Sequence, residues 1–300
     1  MIRLNPSIGA LFLFGCFATT ALEVSAQSFD YSHGTCIILS WQDAGMGIAA
    51  DSREISVHST IGGTDKLSVG PDTCKLRRPS PQVMLGVEGL SVIIRRSDQR
   101  PVWNALDNAN RLFQSSVPLD VAAWLKKAAE WQASFMDQVS AGTVNLETPE
   151  ADLPQLHVFG LTPTGSAALV SARFSKMGLG IVPYPPYQVE NPVPDGYKFI
   201  KYGSCNVYLG TNMSRASLTA EQQQRYQRLS LAAGVFGPPE YLMGVAKNFV
   251  LLGIDIANSQ ATDDSPAFVG PPIFTANLAV NSPGWQTGDI GACGSDIPKP

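Results

Sequence analysis

Charged residues and histidines are scarce in this sequence. Asp, Glu, Lys and Arg make up 15% of its 300 residues, whereas about 25% is usual in globular proteins. The formal net charge is -4 and no stripe of Lys and Arg occurs, so we expect no nucleic-acid partner. Beyond residue 26 there is no run of about 18 uncharged apolar residues, so we expect no membrane span. Hydrophobic residues reach 44%, which is enough to fill a core and excludes a disordered chain.

Patterns typical of metal sites are also missing. The histidines His33, His58 and His157 lie far apart in the sequence. No CxxC pair and no Cys/His spacing suited to zinc occurs, so we expect neither a metal nor a cofactor. Four cysteines follow residue 26, and they allow more than one disulfide pairing, among which the sequence does not choose. These cysteines are Cys36, Cys74, Cys205 and Cys293.

Residues 1–26 have the composition of a secretory signal peptide. Arg3 supplies a positive start, residues 8–17 are apolar, and small residues precede a cleavage point after Ala26. We therefore expect a secreted or periplasmic protein. Two alternatives stay open: a lipoprotein attached through Cys16, whose preceding residues loosely resemble a lipobox, and a buried first helix.

The order of apolar runs and turn signals predicts one α+β domain. No internal repeat or linker divides it, and the predicted domain covers residues 35–283. We expect residues 54–74 to be an extended excursion, 181–196 to be irregular because of their prolines, and 284–300 to be a Gly/Pro-rich tail. The predicted strands are a hairpin over 36–50, then 83–87, 156–161, 167–174, 197–202 and a last region within 269–280. The predicted helices are 103–113, 120–138, one from Thr219 and one from Pro238 to about 257.

The most informative motif is His33-Gly34-Thr35-Cys36, followed by Ala49-Ala50-Asp51-Ser52-Arg53. It resembles the start of proteasome β-type subunits, members of the N-terminal nucleophile (Ntn) hydrolase superfamily. The offsets from Thr35 to Asp51 and to Arg53 match that family, as does the offset from Lys75 to Gly89. The segment between Asp51 and Lys75 is longer than in the family, and residues 54–74 accommodate the insertion. Lys66 is the alternative lysine, but its distance to Gly89 does not fit.

The chemistry of such a threonine can be argued from its functional groups. A threonine hydroxyl is a weak nucleophile that needs a base beside it. An α-amine, with an ordinary pKa of about 7.7–8.0, can be that base, and it is prepositioned when the threonine is the first residue. The sequence therefore predicts cleavage of the Gly34–Thr35 bond and a short propeptide over residues 27–34.

The resemblance implies a four-layer αββα sandwich and a set of roles. Thr35 would be the nucleophile, Lys75 would favour its deprotonated forms, and Asp51 would hold Lys75. Arg53 would brace the turn, and the N–H of Gly89 would face the oxyanion. By the same resemblance, Ser204 would lie near the nucleophile and Asp264 would belong to a closing acidic segment.

Three features depart from the family pattern. Ala267 stands where the family has Ser or Thr, and no Gly-Gly follows the acidic segment. Glu88 replaces a small residue beside Gly89; if buried, it would need a partner or a raised pKa. Cys36 offers an alternative nucleophile if cleavage falls one residue later, although it could equally pack behind the strand or join a disulfide.

These observations lead to a functional expectation. The chain would be a secreted threonine peptidase-like hydrolase that cuts itself at Gly34–Thr35 and then hydrolyses peptide or small amide bonds. Self-association is possible. One alternative is a catalytically inactive secreted binding or structural domain that retains the proteasome-like fold. Another is an unrelated α+β protein in which the motif is a coincidence.

Overall fold

The computed structural model describes most of the chain beyond residue 28, with gaps. The described residues are 29–33, 36–42, 45–58, 66–115, 117–178, 180–189, 198–203, 218–262, 266–267 and 269–293. Within these ranges the chain is mixed α+β, with four helices and three antiparallel sheets. None of the helices in these ranges is long and apolar enough to cross a membrane.

The strands and helices follow one another in the order that the apolar pattern predicts, with additional strands. The strands are β1 (Phe29–His33), β2 (Cys36–Gln42), β3 (Gly45–Ala50), β4 (Ile55–His58), β5 (Lys66–Val69), β6 (Leu76–Ser80), β7 (Val83–Glu88), β8 (Val92–Arg95), β9 (Arg100–Asn104), β10 (Gln155–Leu161), β11 (Ala167–Met177), β12 (Gly180–Gln188), β13 (Lys198–Gly203), β14 (Phe274–Ala279) and β15 (Gln286–Ile290). The helices are α1 (Ala105–Phe113), α2 (Val121–Ser140), α3 (Ala220–Ala233) and α4 (Pro239–Gln260), with a 3-10 turn at Glu150–Asp152.

The strands form three five-stranded sheets. Sheet A has the order β5-β4-β1-β8-β9, sheet B the order β13-β2-β3-β14-β15, and sheet C the order β12-β11-β10-β7-β6. The predicted hairpins are confirmed as β2–β3 and β10–β11. The extended segment 54–74 contributes β4 and β5 to sheet A, whereas β2 and β3 lie in the middle of sheet B.

Alternate residues of β2 enter different buried clusters, because successive side chains of a strand point to opposite faces. Ile37 and Leu39 pack with Leu76 and Phe159 of sheet C. Cys36 and Ile38 pack instead with a cluster that includes residues of α4. The helices α1 and α2 bury their apolar side chains in another cluster, which also contains residues of sheets A and C.

Three of the helices begin where their capping residues predict. The Asp120 carboxylate accepts the N–H of Ala123 at 2.8 Å at the start of α2, and Thr219 forms a capping box with Gln222 at the start of α3. Pro239 opens α4, where the missing N–H of a proline costs nothing. Asn104 caps α1, so this helix begins two residues later than the apolar spacing predicts.

Two segments expected to be irregular contain strands. Residues 180–188, within the Pro-rich stretch, form β12 at the edge of sheet C. An edge strand needs only one row of backbone hydrogen bonds, so prolines are tolerated there. In the segment expected to be a tail, β15 pairs with β14, and Trp285 before it is fully buried.

Disulfides join distant parts of the chain. Cys74 and Cys293 are bonded to each other, which ties the end of the described chain to the residue before Lys75. Cys36 is also disulfide-bonded. Cys205 lies outside the described residues.

The close packing of α4 on β3 requires a glycine at position 47. A Cβ atom added to Gly47 would lie 2.0 Å from the backbone nitrogen of Met243, so we expect Gly47→Ala to lower the free energy of unfolding by about 1–3 kcal/mol or more. Gly244 lies on the same helix with nothing within 4 Å of its added Cβ, so Gly244→Ala should raise the free energy by up to about 1 kcal/mol. Urea unfolding of both variants measures this difference, and equal effects would contradict it.

Candidate active site

Asp51 lies at the end of β3 and connects three segments through its carboxylate. Its Oδ1 accepts the N–H of Cys36 at 2.7 Å. Its Oδ2 accepts the N–H of Arg53 at 3.2 Å and that of Gly270 at 3.1 Å. The N–H of Asp51 in turn donates to the carbonyl of Cys36 at 3.1 Å. The residue directly after Thr35 is therefore held at both its amide and its carbonyl.

Burial dominates the electrostatics of this carboxyl group. Asp51 is only 1% exposed, and burial raises its pKa from 3.8 to about 6. The charge of Lys75 and the hydrogen bonds from Cys36, Gly270 and Arg53 act in the opposite direction. They do not fully offset the loss of hydration.

Lys75 lies between the disulfide-bonded Cys74 and the start of β6. It is 3% exposed, and its Nζ has no hydrogen-bond partner among the described residues. Burial lowers its pKa, whereas the negative charges of Glu54 and then Asp51 raise it. Lys66 lies on β5 of sheet A. Lys75 is therefore the lysine that the structure brings into the electrostatic field of Asp51.

Glu54 is a buried carboxylate that the motif does not indicate. One oxygen accepts the Thr73 hydroxyl, and the other lies 3.1 Å from the Ser91 hydroxyl. Glu54 raises the pKa of Lys75 more than Asp51 does. The sequence signal for it was weak: a glutamate directly after Asp-Ser-Arg, at the start of a segment interpreted only as extended.

Arg53 braces the segment that precedes β14. Its guanidinium donates to the carbonyl of Ala267 at 3.4 Å. It packs so close to Gly270 that a Cβ atom added there would lie 2.2 Å from Nε of Arg53. The single glycine at 270 is thus explained by the space that this guanidinium occupies. The N–H of Ser52 also donates to the Gly270 carbonyl at 3.3 Å.

Gly89 has a conformation and surroundings that exclude a side chain. Its φ is +73°, a region that favours glycine, and an added Cβ would lie 2.3 Å from the carbonyl oxygen of Leu153. Its N–H donates to none of the described residues. The N–H of Val87 donates to the carbonyl of Lys75 at 3.4 Å, which places the strand leading to Gly89 beside Lys75.

Glu88 is buried and takes a partner, which was one of the two expectations for it. Its Oε1 lies 2.9 Å from Nε2 of His157, and Nδ1 of His157 lies 2.9 Å from the Ser171 hydroxyl. Oε2 of Glu88 has no partner among the described residues. His157 and Ser171 face each other on neighbouring strands, a pairing that sequence spacing did not suggest.

Several predicted site residues cannot be placed. Gly34, Thr35, Ser204 and Asp264 lie outside the described residues. Of the remaining predicted residues, the structure brings Asp51, Arg53 and Lys75 together and puts Gly89 at the end of the adjacent strand. The alternative in which Cys36 is the nucleophile is wrong, because its sulfur is in a disulfide and is not a free thiolate.

The arrangement offers buried titratable groups and a backbone N–H, that of Gly89, that donates to none of the described residues. Among the residues that the structure describes, no group of three or more His, Cys, Asp and Glu could hold a metal ion. No protein-family model matches this chain, and no curated protein matches it at a significant level. Functional interpretation therefore depends on the geometry of the site and on the motif around Thr35.

The raised pKa of Asp51 predicts a pH-dependent stability difference. The folded chain holds this proton more tightly than the unfolded chain, so the associated stability is complete below pH 3.8 and is lost as the pH rises through about 6. Asp51→Asn lacks this titration. We therefore expect the wild type's unfolding free energy, relative to the variant's, to fall by about 2–3 kcal/mol between roughly pH 4 and pH 7.

Urea unfolding curves across this pH range, followed by tryptophan fluorescence, measure the difference. Glu147→Gln is the matched control, since Glu147 is exposed. Its curves should parallel those of the wild type. A constant gap between wild type and Asp51→Asn would contradict the prediction.

Proposed function

We propose that this chain is a secreted Ntn-type hydrolase with a threonine nucleophile. It would cut its own Gly34–Thr35 bond and then hydrolyse peptide or small amide bonds through Thr35. The fold proposed for it is the four-layer αββα sandwich of that superfamily. Sheets B and C share a buried cluster, residues of α4 pack on the far face of sheet B, and α1 and α2 share a cluster with residues of sheet C. These contacts support that assignment.

The observation that carries the proposal is the buried ammonium of Lys75, which has no hydrogen-bond partner among the residues that the structure describes. An isolated charge in a protein interior is costly unless another group compensates for it. Two carboxylates, those of Glu54 and Asp51, favour its charged form without accepting a hydrogen bond from it. Asp51 also holds Cys36, the residue that follows Thr35. This combination is what we expect of an ammonium group whose charge acts on the nucleophile at residue 35.

Self-cleavage would begin with an acyl shift. The Thr35 hydroxyl attacks the Gly34 carbonyl carbon, an ester forms, the amide bond breaks and the Thr35 nitrogen becomes a free amine. Water then hydrolyses the ester, leaving a carboxylate on Gly34. In later cycles the freed amine takes the hydroxyl proton as the base, and the charge of Lys75 lowers the proton affinity of both groups.

The remaining groups would act around this centre. The N–H of Gly89, which donates to no residue within the described ranges, is proposed as the donor to the oxyanion that develops during attack. Arg53 would keep the segment near Gly270 against Asp51. Ser204 and Asp264 keep the supporting roles that the resemblance implies for them.

The second candidate function is a non-catalytic binding or structural domain with the same fold. One observation favours it: β1, which includes most of the predicted propeptide, is paired on both sides within sheet A. In that case Thr35 would stay internal. The two candidates differ in whether the Gly34–Thr35 bond is broken.

The N-terminal sequence and intact mass of the secreted protein test the proposal. We expect one chain to begin at Thr35 in the wild type, whereas Thr35→Ala should keep the peptide bond after Gly34 intact because it has no hydroxyl to attack the carbonyl. Thr35→Ser should still cleave. An intact Gly34–Thr35 bond in the folded wild type would overturn the hydrolase proposal and favour the binding domain.

Lys75→Met tests the role of the ammonium separately. We expect this variant to slow self-cleavage by at least about 100-fold, because a neutral side chain no longer lowers the proton affinity of the Thr35 hydroxyl, and an electrostatic group of this kind typically contributes about 100- to 1,000-fold. Lys126 is exposed on α2, so Lys126→Met is the control and should cleave at the wild-type rate. Circular dichroism confirms that both variants fold. Normal cleavage in a folded Lys75→Met variant would exclude Lys75 from the chemistry.

A further inference from the structure

The strand β1, called the leader strand below, occupies the middle of sheet A. It pairs with β4 from Asp30 to His33 and with β8 from Phe29 to Ser32. Without it, β4 and β8 would each present an open edge with unpaired backbone groups. The leader strand is therefore part of the folded body although it lies before the proposed cleavage point.

The aromatic side chains of the leader strand are buried. Phe29 and Tyr31 are each 8% exposed and belong to the cluster that contains Leu90, Ile93 and Trp103. Removing aromatic side chains from water favours the place of the leader strand in the sheet. The Tyr31 hydroxyl also donates to the carbonyl of Thr143 at 3.0 Å.

The leader strand fills the space between β4 and β8, called the slot below. A charged contact in this slot favours an acidic residue in the strand that fills it. The Asp30 carboxylate accepts from Nε of Arg96 at 3.0 Å and from Nη2 at 2.6 Å. Asp30 is 5% exposed, and a guanidinium–carboxylate hydrogen bond is stronger than a neutral one. A peptide lacking this acid would leave the partly buried Arg96 without its Asp30 contact.

The last described residues of the leader strand are tied to the candidate active site. The N–H of Ser91 donates to the carbonyl of Ser32 at 2.8 Å. The Ser91 hydroxyl lies 3.1 Å from that carbonyl and 3.1 Å from Oε1 of Glu54. One hydroxyl thus separates the leader strand from the carboxylate that acts most strongly on Lys75.

We propose that the slot between β4 and β8 is a peptide-binding site that retains the leader strand after the Gly34–Thr35 bond is cut. The cut itself rests on the proposed function. Hydrolysis consumes one water and yields a Gly34 carboxylate and a Thr35 amine, and it breaks none of the contacts described above. The cleaved protein is then a complex of two chains. The ligand of this slot is an extended peptide with an acidic residue between two aromatic ones, as in Phe29-Asp30-Tyr31.

Mass spectrometry of the purified secreted protein under native and denaturing conditions tests the retention. We expect a single native mass equal to the body plus the peptide that ends at Gly34, and two separate masses after denaturation. A cleaved body without the peptide in the native spectrum would overturn the retention while leaving the proposed function intact. A single chain with an intact Gly34–Thr35 bond in both spectra would overturn both.

Substitution of Arg96 tests the recognition of the acid. After dilution of the cleaved complex, we expect Arg96→Met to release the peptide that ends at Gly34 at least about ten times faster than the wild type does. The reason is that the Asp30 carboxylate loses the Arg96 guanidinium in a desolvated site. Arg100→Met is the matched control. Arg100 lies on β9, which does not pair with the leader strand, and 80% of its side chain is exposed, so this change should leave the release rate unaltered. Equal release rates for the two variants would show that the acidic residue does not contribute to recognition of the peptide.

Discussion

The Asp51 carboxylate accepts hydrogen bonds from three backbone N–H groups, and the rest of the site depends on these bonds. It joins the first residue of β2, the turn after β3 and the segment before β14. The first two belong to one hairpin, whereas Gly270 is 219 residues away from Asp51 in the sequence. Because a carboxylate can accept several hydrogen bonds at once, one side chain sets their relative positions. Arg53, in the same turn, extends this linkage to Ala267.

Burial makes it costly to keep the titratable side chains of this site charged. Asp51, Glu54 and Lys75 are all removed from water, and burial raises the pKa of Asp51 and lowers that of Lys75. The opposite charges offset part of this cost. The Cys74–Cys293 disulfide holds the backbone beside Lys75. Burial thus favours the neutral form of Lys75, whereas the carboxylates of Glu54 and Asp51 favour its charged form.

Local signals were sufficient to predict several elements. Asp120 and Thr219 mark helix starts because a side-chain cap depends on neighbouring residues only. The hairpin over 36–50 follows from its turn and its apolar runs. By contrast, β12 carries prolines that argue against a strand, and only its place at a sheet edge makes them acceptable. The pairing of β15 with β14 was also missed, because its short Gly- and Asp-containing segment has little strand propensity.

The sequence by itself determined the α+β class, the order of most elements and the spacing that singled out Asp51, Arg53, Lys75 and Gly89. Tertiary structure decided which charges meet. Three features depend on contacts between distant segments. They are the effect of Glu54 on the pKa of Lys75, the Glu88–His157 pair, and the place of residues 29–33 in sheet A. Such contacts leave no local pattern, because they are set by strand register and by the packing of one sheet against another.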